Sequence, residues 1–140
     1  MLARYLHPCF DLHSACSTFG AQCHFVEAAG HALPEWILLV VPENTTRITD
    51  FAARSSALRF GDASAAAVVS TKNPSRVRST YSTFGGSPAG ADEVVIPRVG
   101  HFYQNGAAVQ KFAIKRMTEL LREIQRRAET EGKSAPIYVG

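Results

Sequence analysis

The chain has 140 residues, 46% of them apolar and 19% charged, with a net charge of +3. That is the size of one ordinary domain, apolar enough to bury a core and too weakly basic to argue for nucleic acid. The composition argues against disorder, and the longest dense apolar run, Trp36–Val41, is far too short for a membrane-spanning helix.

The opening MLARYLHPCF is too mixed for a secretory leader. Three cysteines without a leader suit a reducing compartment, so a soluble cytoplasmic protein is expected. Cys9–Leu12 reads as the end of a short buried strand, broken by Asp11 and Ser14. Ser14 is placed to cap a helix from about Cys16 to His31. That segment is apolar or small nearly all round, which suits a helix buried on every side. Gly30 and Pro34 end it. Trp36–Val41 is a continuous branched run, the pattern of a strand covered on both faces.

Thr45–Leu58 reads as a polar loop. Ala65–Ser70 is a second central strand of small residues. Lys72–Ala91 is loop-like, although Arg78–Phe84 alternates enough for an edge strand, and Glu93–Ile96 is another short apolar run. The plainest element is the last helix, about Gly106 to Glu131. There Val109, Phe112, Ala113, Met117, Leu120, Leu121, Ile124 and Ala128 recur at three- and four-residue steps. Its Lys, Arg and Glu side chains mix signs, as on a solvated face. Ile137-Tyr138-Val139 then begins a strand. Strands alternating with helices give the α/β class. The chain enters one strand within ten residues and stops inside another, which suggests a segment of something larger.

Cys16 is the candidate nucleophile. At the first turn of a helix it would face unpaired backbone N–H groups and the positive end of the dipole, a setting that favours a thiolate. Ser14, Ala15, Ser17 and Thr18 are small enough to admit a substrate. Cys9, Cys16 and Cys23 are spaced by seven, too widely for a zinc site, so no metal is expected.

The block Phe10-Asp11-Leu12-His13-Ser14-Ala15-Cys16-Ser17-Thr18-Phe19 resembles the active-site segment of the β-ketoacyl-acyl-carrier-protein synthase III family. So do Leu39-Val40-Val41 with Glu43, Arg47-Ile48-Thr49-Asp50 and Arg54, the stretch Phe60-Gly61-Asp62 through Val69, and Gly106 to Met117. Four blocks agree in order and spacing over nearly the whole chain.

The resemblance implies a partial thiolase-like fold: layered α-β-α, a central mixed sheet and a buried Cys-bearing helix. Residues 1–71 would close the first thiolase-like half and 72–140 would open the second. It implies an acyltransferase in which Cys16 takes an acyl group from acyl-CoA and malonyl-ACP (ACP, acyl carrier protein) condenses with it after losing carbon dioxide. Arg54 would lie near the coenzyme's adenine end, Phe60 would line the acyl pocket and Gly106 would flank the pantetheine arm. The substrates would be acyl-CoA and malonyl-ACP with no cofactor, and the complete form would be a homodimer. Fatty acid biosynthesis and polyketide pathways both fit.

The sequence also departs from the pattern. Ala63 and Ala65 replace glycines, Ala107 replaces an Asn and Gln110 a Phe. The family's His-Gln-Ala-Asn motif would follow a strand like Ile137–Gly140, where this chain stops. None of His7, His13, His24, His31 and His101 lies in a matching motif. The expectation is therefore a fragment inactive alone. The alternative is a truncated, non-catalytic paralogue that docks on a full-length synthase.

Overall fold

A computed structural model describes residues 8–77 and 81–130. The chain divides into two compact units that interleave along the sequence. The first comprises Met1–Asn44 and Gly61–Gly85, the second Thr45–Phe60 and Gly86–Gly140.

In the first unit a 3₁₀ turn, Ala15–Ser17, leads into α1, Thr18–Ala29, and a second 3₁₀ turn, Gly30–Ala32, closes it. The helix therefore begins two residues later than expected. Its N-cap is Ser17 rather than Ser14, and neither residue makes a side-chain capping bond to the helix backbone. β1, Trp36–Glu43, and β2, Ala63–Ser70, pair antiparallel from Trp36 opposite Ser70 to Glu43 opposite Ala63. Branched residues in β1 and small ones in β2 suit this ribbon, since Leu39 and Val41 meet only Ala67 and Ala65 across the ladder.

The helix packs on β1, where Gln22 Nε2 donates to the Val40 carbonyl at 3.1 Å. Leu39 and Ala21 are the buried apolar residues among those described. The expected burial of α1 on every side is thus corrected: a two-stranded ribbon covers one side of a helix and leaves Phe19 exposed. The expected double cover of β1 is corrected for the same reason. Trp36, Leu38 and Val40 alternate on the ribbon's open face with Val68, which pairs with Leu38.

Cys9–Leu12 is not a strand. It runs as irregular backbone, pinned by an edge-to-face contact between Phe10 and Phe25 at 5.3 Å, and among the described residues no strand pairs with it. The described part of the expected edge strand, Tyr81–Phe84, is likewise irregular. It is held to α1 through Ser82, which donates to Glu27 Oε2 at 2.5 Å. Ser82 has one proton, so it accepts from His24 Nδ1 at 2.7 Å, and that nitrogen carries a hydrogen.

In the second unit Thr45–Leu58 is more ordered than a loop. It holds a 3₁₀ turn, Thr45–Ile48, and the single-turn helix α2, Arg54–Ala57. β3, Val94–Val95, pairs antiparallel with β4, Tyr103–Gln104, a strand too short to announce itself in the sequence. α3, Gly106–Thr130, follows as the periodicity requires. The expected strand at Ile137–Val139 lies outside the described residues. Helices with small antiparallel sheets are compatible with a partial α/β fold. Among the described residues no helix is long and apolar enough to cross a membrane.

Candidate functional site

Cys16 sits at the middle of the 3₁₀ turn that starts the first helix, and it is exposed. The turn is made by Ala15, whose φ of 45° is in the left-handed region that side chains disfavour. Cys16 follows this reversal directly.

The flanking groups are bonded to one another. Thr18 Oγ1 donates to the Ala15 carbonyl at 2.7 Å and accepts the Ser14 N–H at 3.0 Å. Ser17 N–H and Ser17 Oγ both donate to the Ser14 carbonyl, at 3.0 and 2.8 Å. Ser17's proton is then spent, so in the 3.0 Å pair between Ser14 Oγ and Ser17 Oγ the donor is Ser14. The Ala15 N–H donates to His13 Nδ1 at 3.3 Å, which gives His13 a local structural task. These bonds brace the turn, and Cys16 on it is exposed.

The other thiols differ. Cys9 is exposed on irregular backbone. Cys23 is half-buried on α1, and burial pushes its thiol up, away from the reactive thiolate. Among the described residues no group of His, Cys, Asp and Glu could hold a metal ion.

A separate cavity of about 530 Å³ lies within the second unit. Phe60 and Gly106, two of the three residues expected to bind substrate, line it. Arg54, the third, is exposed at the start of α2 and is not part of the wall, although its neighbour Ala53 is.

The wall is built from the short elements. Phe102 N–H donates to the Ile48 carbonyl at 2.8 Å, tying the approach to β4 to the 3₁₀ turn. Phe60 meets Phe102 edge to face, with ring centroids 4.8 Å apart. Ser56, buried, donates from Oγ to the Asp50 and Ala53 carbonyls at 3.0 and 3.2 Å and so closes the turn before α2. Gly106 opens α3 against Arg59. A Cβ on residue 106 would stand 3.0 Å from Arg59 Nη1, so glycine is what lets the guanidinium lie against the helix start. Asp50, Arg59, His101, Gln104 and Gln110 also line it. Only tertiary folding gathers these five residues. The one local hint was Arg59 standing directly before Phe60.

The structure thus gives helices, small antiparallel sheets and an exposed thiol in the turn that starts a helix. Comparison with known proteins adds to this. The family model for 3-oxoacyl-[acyl-carrier-protein (ACP)] synthase III matches residues 10–87, more than half of the chain, and the chain belongs to that family. Curated relatives named beta-ketoacyl-[acyl-carrier-protein] synthase III include those of Staphylococcus saprophyticus, 31% identical over 134 residues, and Oceanobacillus iheyensis, 28% identical over 113. The first alignment covers 92% of this chain and 42% of the relative, the second 78% and 35%. A relative from Halalkalibacterium halodurans is 33% identical over 116 residues, 78% of this chain and 35% of its own length. The chain thus spans about two fifths of the length of the curated relatives it matches. No solved structure matches it.

Proposed function

We propose that this chain carries the acyl-accepting segment of a decarboxylating condensing enzyme, with Cys16 as the nucleophile. The observation that carries the reading is the exposed Cys16 thiol on a turn whose neighbouring polar groups bond one another and not the sulfur.

In the proposed reaction the Cys16 thiolate attacks the carbonyl carbon of an acyl-CoA thioester, and the coenzyme leaves as its thiolate, which takes a proton from solvent. The acyl group is then an enzyme thioester. Malonyl-ACP loses carbon dioxide, and its α-carbon attacks that thioester. A 3-oxoacyl-ACP forms and the Cys16 thiolate is regenerated. Thioesters and a thiol supply the electrophile and the leaving groups, so the reaction calls for no cofactor.

Arg54, Phe60 and Gly106 are proposed to bind substrate, with Phe60 beside the acyl group. Its contact with Phe102 gives an apolar wall suited to methylenes. Acyl carrier protein and a second copy of the complete protein are the proposed partners. A layered thiolase-like fold divided near residues 71 and 72 is the proposed frame, in a reducing cytoplasmic setting that suits three free thiols.

The enolate that forms as malonyl-ACP loses carbon dioxide needs preorganised donors. The 140 residues contain no His-Gln-Ala-Asn run. The 140-residue chain is therefore expected to accept an acyl group without completing a condensation.

Intact-protein mass spectrometry after incubation with acetyl-CoA tests this. The expected result is a single acetyl adduct mapped to Cys16, absent from Cys16→Ser, with no ketoacyl product when malonyl-ACP is added. Adducts spread equally over Cys9, Cys16 and Cys23 would sink the nucleophile assignment, and ketoacyl product would sink the expected inactivity.

A further inference from the structure

The cavity of the second unit is lined by both apolar and polar side chains. Phe60 and Phe102 meet edge to face in its wall. Arg59, His101, Gln104 and Gln110 also line it and bring donors. Arg59 is exposed, its guanidinium lies against Gly106, and it forms no ion pair among the described residues. Asp50 shares the wall, but its Oδ1 turns back to accept the Ala52 N–H at 2.9 Å, so it is engaged with its own loop rather than with Arg59.

We propose that this cavity selects thioesters whose acyl group ends in a carboxylate, and that Arg59 is the residue that reads it. The inference rests on the reading that Phe60 flanks the acyl group. A methylene chain lies against the phenyl rings, and its terminal carboxylate meets the guanidinium, whose planar fork matches two carboxylate oxygens. The glutamine amides add donors that tolerate the polar end. An apolar acyl group of the same length strips water from Arg59 and returns no hydrogen bond, so the cavity discriminates by penalty as well as by attraction. The volume, about 530 Å³, is in the range that takes a small ligand and leaves room for a chain of several carbons.

Coenzyme phosphates are a second source of anion, and the test must separate the two. Adipoyl-CoA and heptanoyl-CoA carry the same coenzyme and differ at the far end of the acyl group. Calorimetric affinity of both is measured on the Cys16→Ser chain, which reads the cavity without the chemistry, and Cys16 acylation rates are measured on the native chain. Adipoyl-CoA is expected to bind at least about tenfold tighter, the scale of one charge-assisted hydrogen bond. Arg59→Leu is expected to bring the two within about twofold by weakening adipoyl-CoA alone, with Arg59→Lys restoring part of the difference.

Equal affinities in the Cys16→Ser chain overturn the proposal. So does an Arg59→Leu variant that loses both thioesters equally, since Arg59 would then be reading the coenzyme. Preferential binding without any Cys16 acylation supports this inference while overturning the nucleophile assignment. Acylation without preference does the reverse.

Discussion

Thr18 Oγ1 reaches back across Cys16 to donate to the Ala15 carbonyl at 2.7 Å. The same oxygen accepts the Ser14 N–H at 3.0 Å, so one hydroxyl spans both sides of the candidate nucleophile. Replacing it with an isosteric methyl leaves a donor and an acceptor without their partner. Thr18→Val is therefore expected to destabilise the first helix start by about 1–2 kcal/mol, while Thr18→Ser, which keeps the hydroxyl, costs less. Urea denaturation of the three proteins measures the difference. Hydrogen exchange at the Ser14 and Ser17 amides locates it, and unchanged protection there in Thr18→Val would contradict the bracing role.

The turn also stores backbone strain at one position. Ala15 holds φ at 45°, which costs an L-residue about 1–2 kcal/mol and costs glycine little. Elsewhere in a helix, Ala→Gly is destabilising by about 0.5–1 kcal/mol. The two positions should thus respond with opposite signs. Ala15→Gly is expected to be neutral or stabilising, and Ala28→Gly, at an exposed site of α1, destabilising. Paired thermal melts check it. A loss of stability in Ala15→Gly as large as that in Ala28→Gly would mean that the left-handed turn does not form in solution.

Gly106 separates a stability effect from a binding effect. Alanine is the better helix former by about 1 kcal/mol at an interior site and by less in the first turn. Its Cβ would stand 3.0 Å from Arg59 Nη1, the far end of a flexible side chain that can swing aside. Gly106→Ala is therefore expected to leave the melting temperature equal or slightly higher and to weaken adipoyl-CoA binding several-fold. Melting and calorimetry on one preparation read the two effects. A sharp fall in stability would show that Arg59 has nowhere to go.

How much of this was legible in the chain depends on which interactions set each feature. α3 was legible from its start at Gly106 because its stripe is a local, periodic property, and β1 because a branched run is local too. Cys9–Leu12 misled because its apolar pattern joins no ladder among the described residues, and the partner of a strand is a tertiary fact. β4 was invisible because two residues carry no period. The Cys16 turn was half legible. The block around Cys16 marked the residue, but an alanine gives no warning of a positive φ, and the cap was assigned to Ser14 when the helix starts after Ser17. For the cavity, Phe60 and Gly106 were named in advance, whereas Arg59, His101 and Gln104 meet them through turns and a two-residue strand that no spacing rule anticipates.

α3 makes its own prediction about pH. Glu123 accepts from Arg126 at 2.8 and 3.0 Å and from Arg127 at 2.7 Å. Hydrogen bonds to Arg126 and then Arg127 are the largest causes that pull its carboxyl down from 4.5 to about 2. A depressed carboxylate pKa contributes stability that is present above the unfolded value and is lost as pH falls through the folded one. Helix content near 222 nm should therefore fall between about pH 4.5 and pH 2 in the native chain, with a smaller step in Glu123→Gln. The pairs are solvent-exposed, so molar salt should shrink the difference between the two proteins. A salt-independent difference would argue for packing rather than charge.

The open face of the ribbon predicts how the 140-residue chain behaves alone. Trp36 is 59% exposed, Leu38 63% and Val68 67%, and Leu38 and Val68 are cross-strand partners on that face. Exposed apolar surface of this kind drives association, and among the described residues the two-stranded ribbon has no third strand on either edge, which leaves room for further pairing. Self-association is therefore expected in sedimentation velocity at micromolar concentration. Polar substitution should separate the two causes. Leu38→Thr with Val68→Thr keeps β propensity and the ladder while removing much of the apolar pair. If the face drives association, the double variant sediments as a smaller species with its far-ultraviolet dichroism retained. If the free edges drive it, association persists in the variant. A monodisperse, cooperatively unfolding native monomer would refute both.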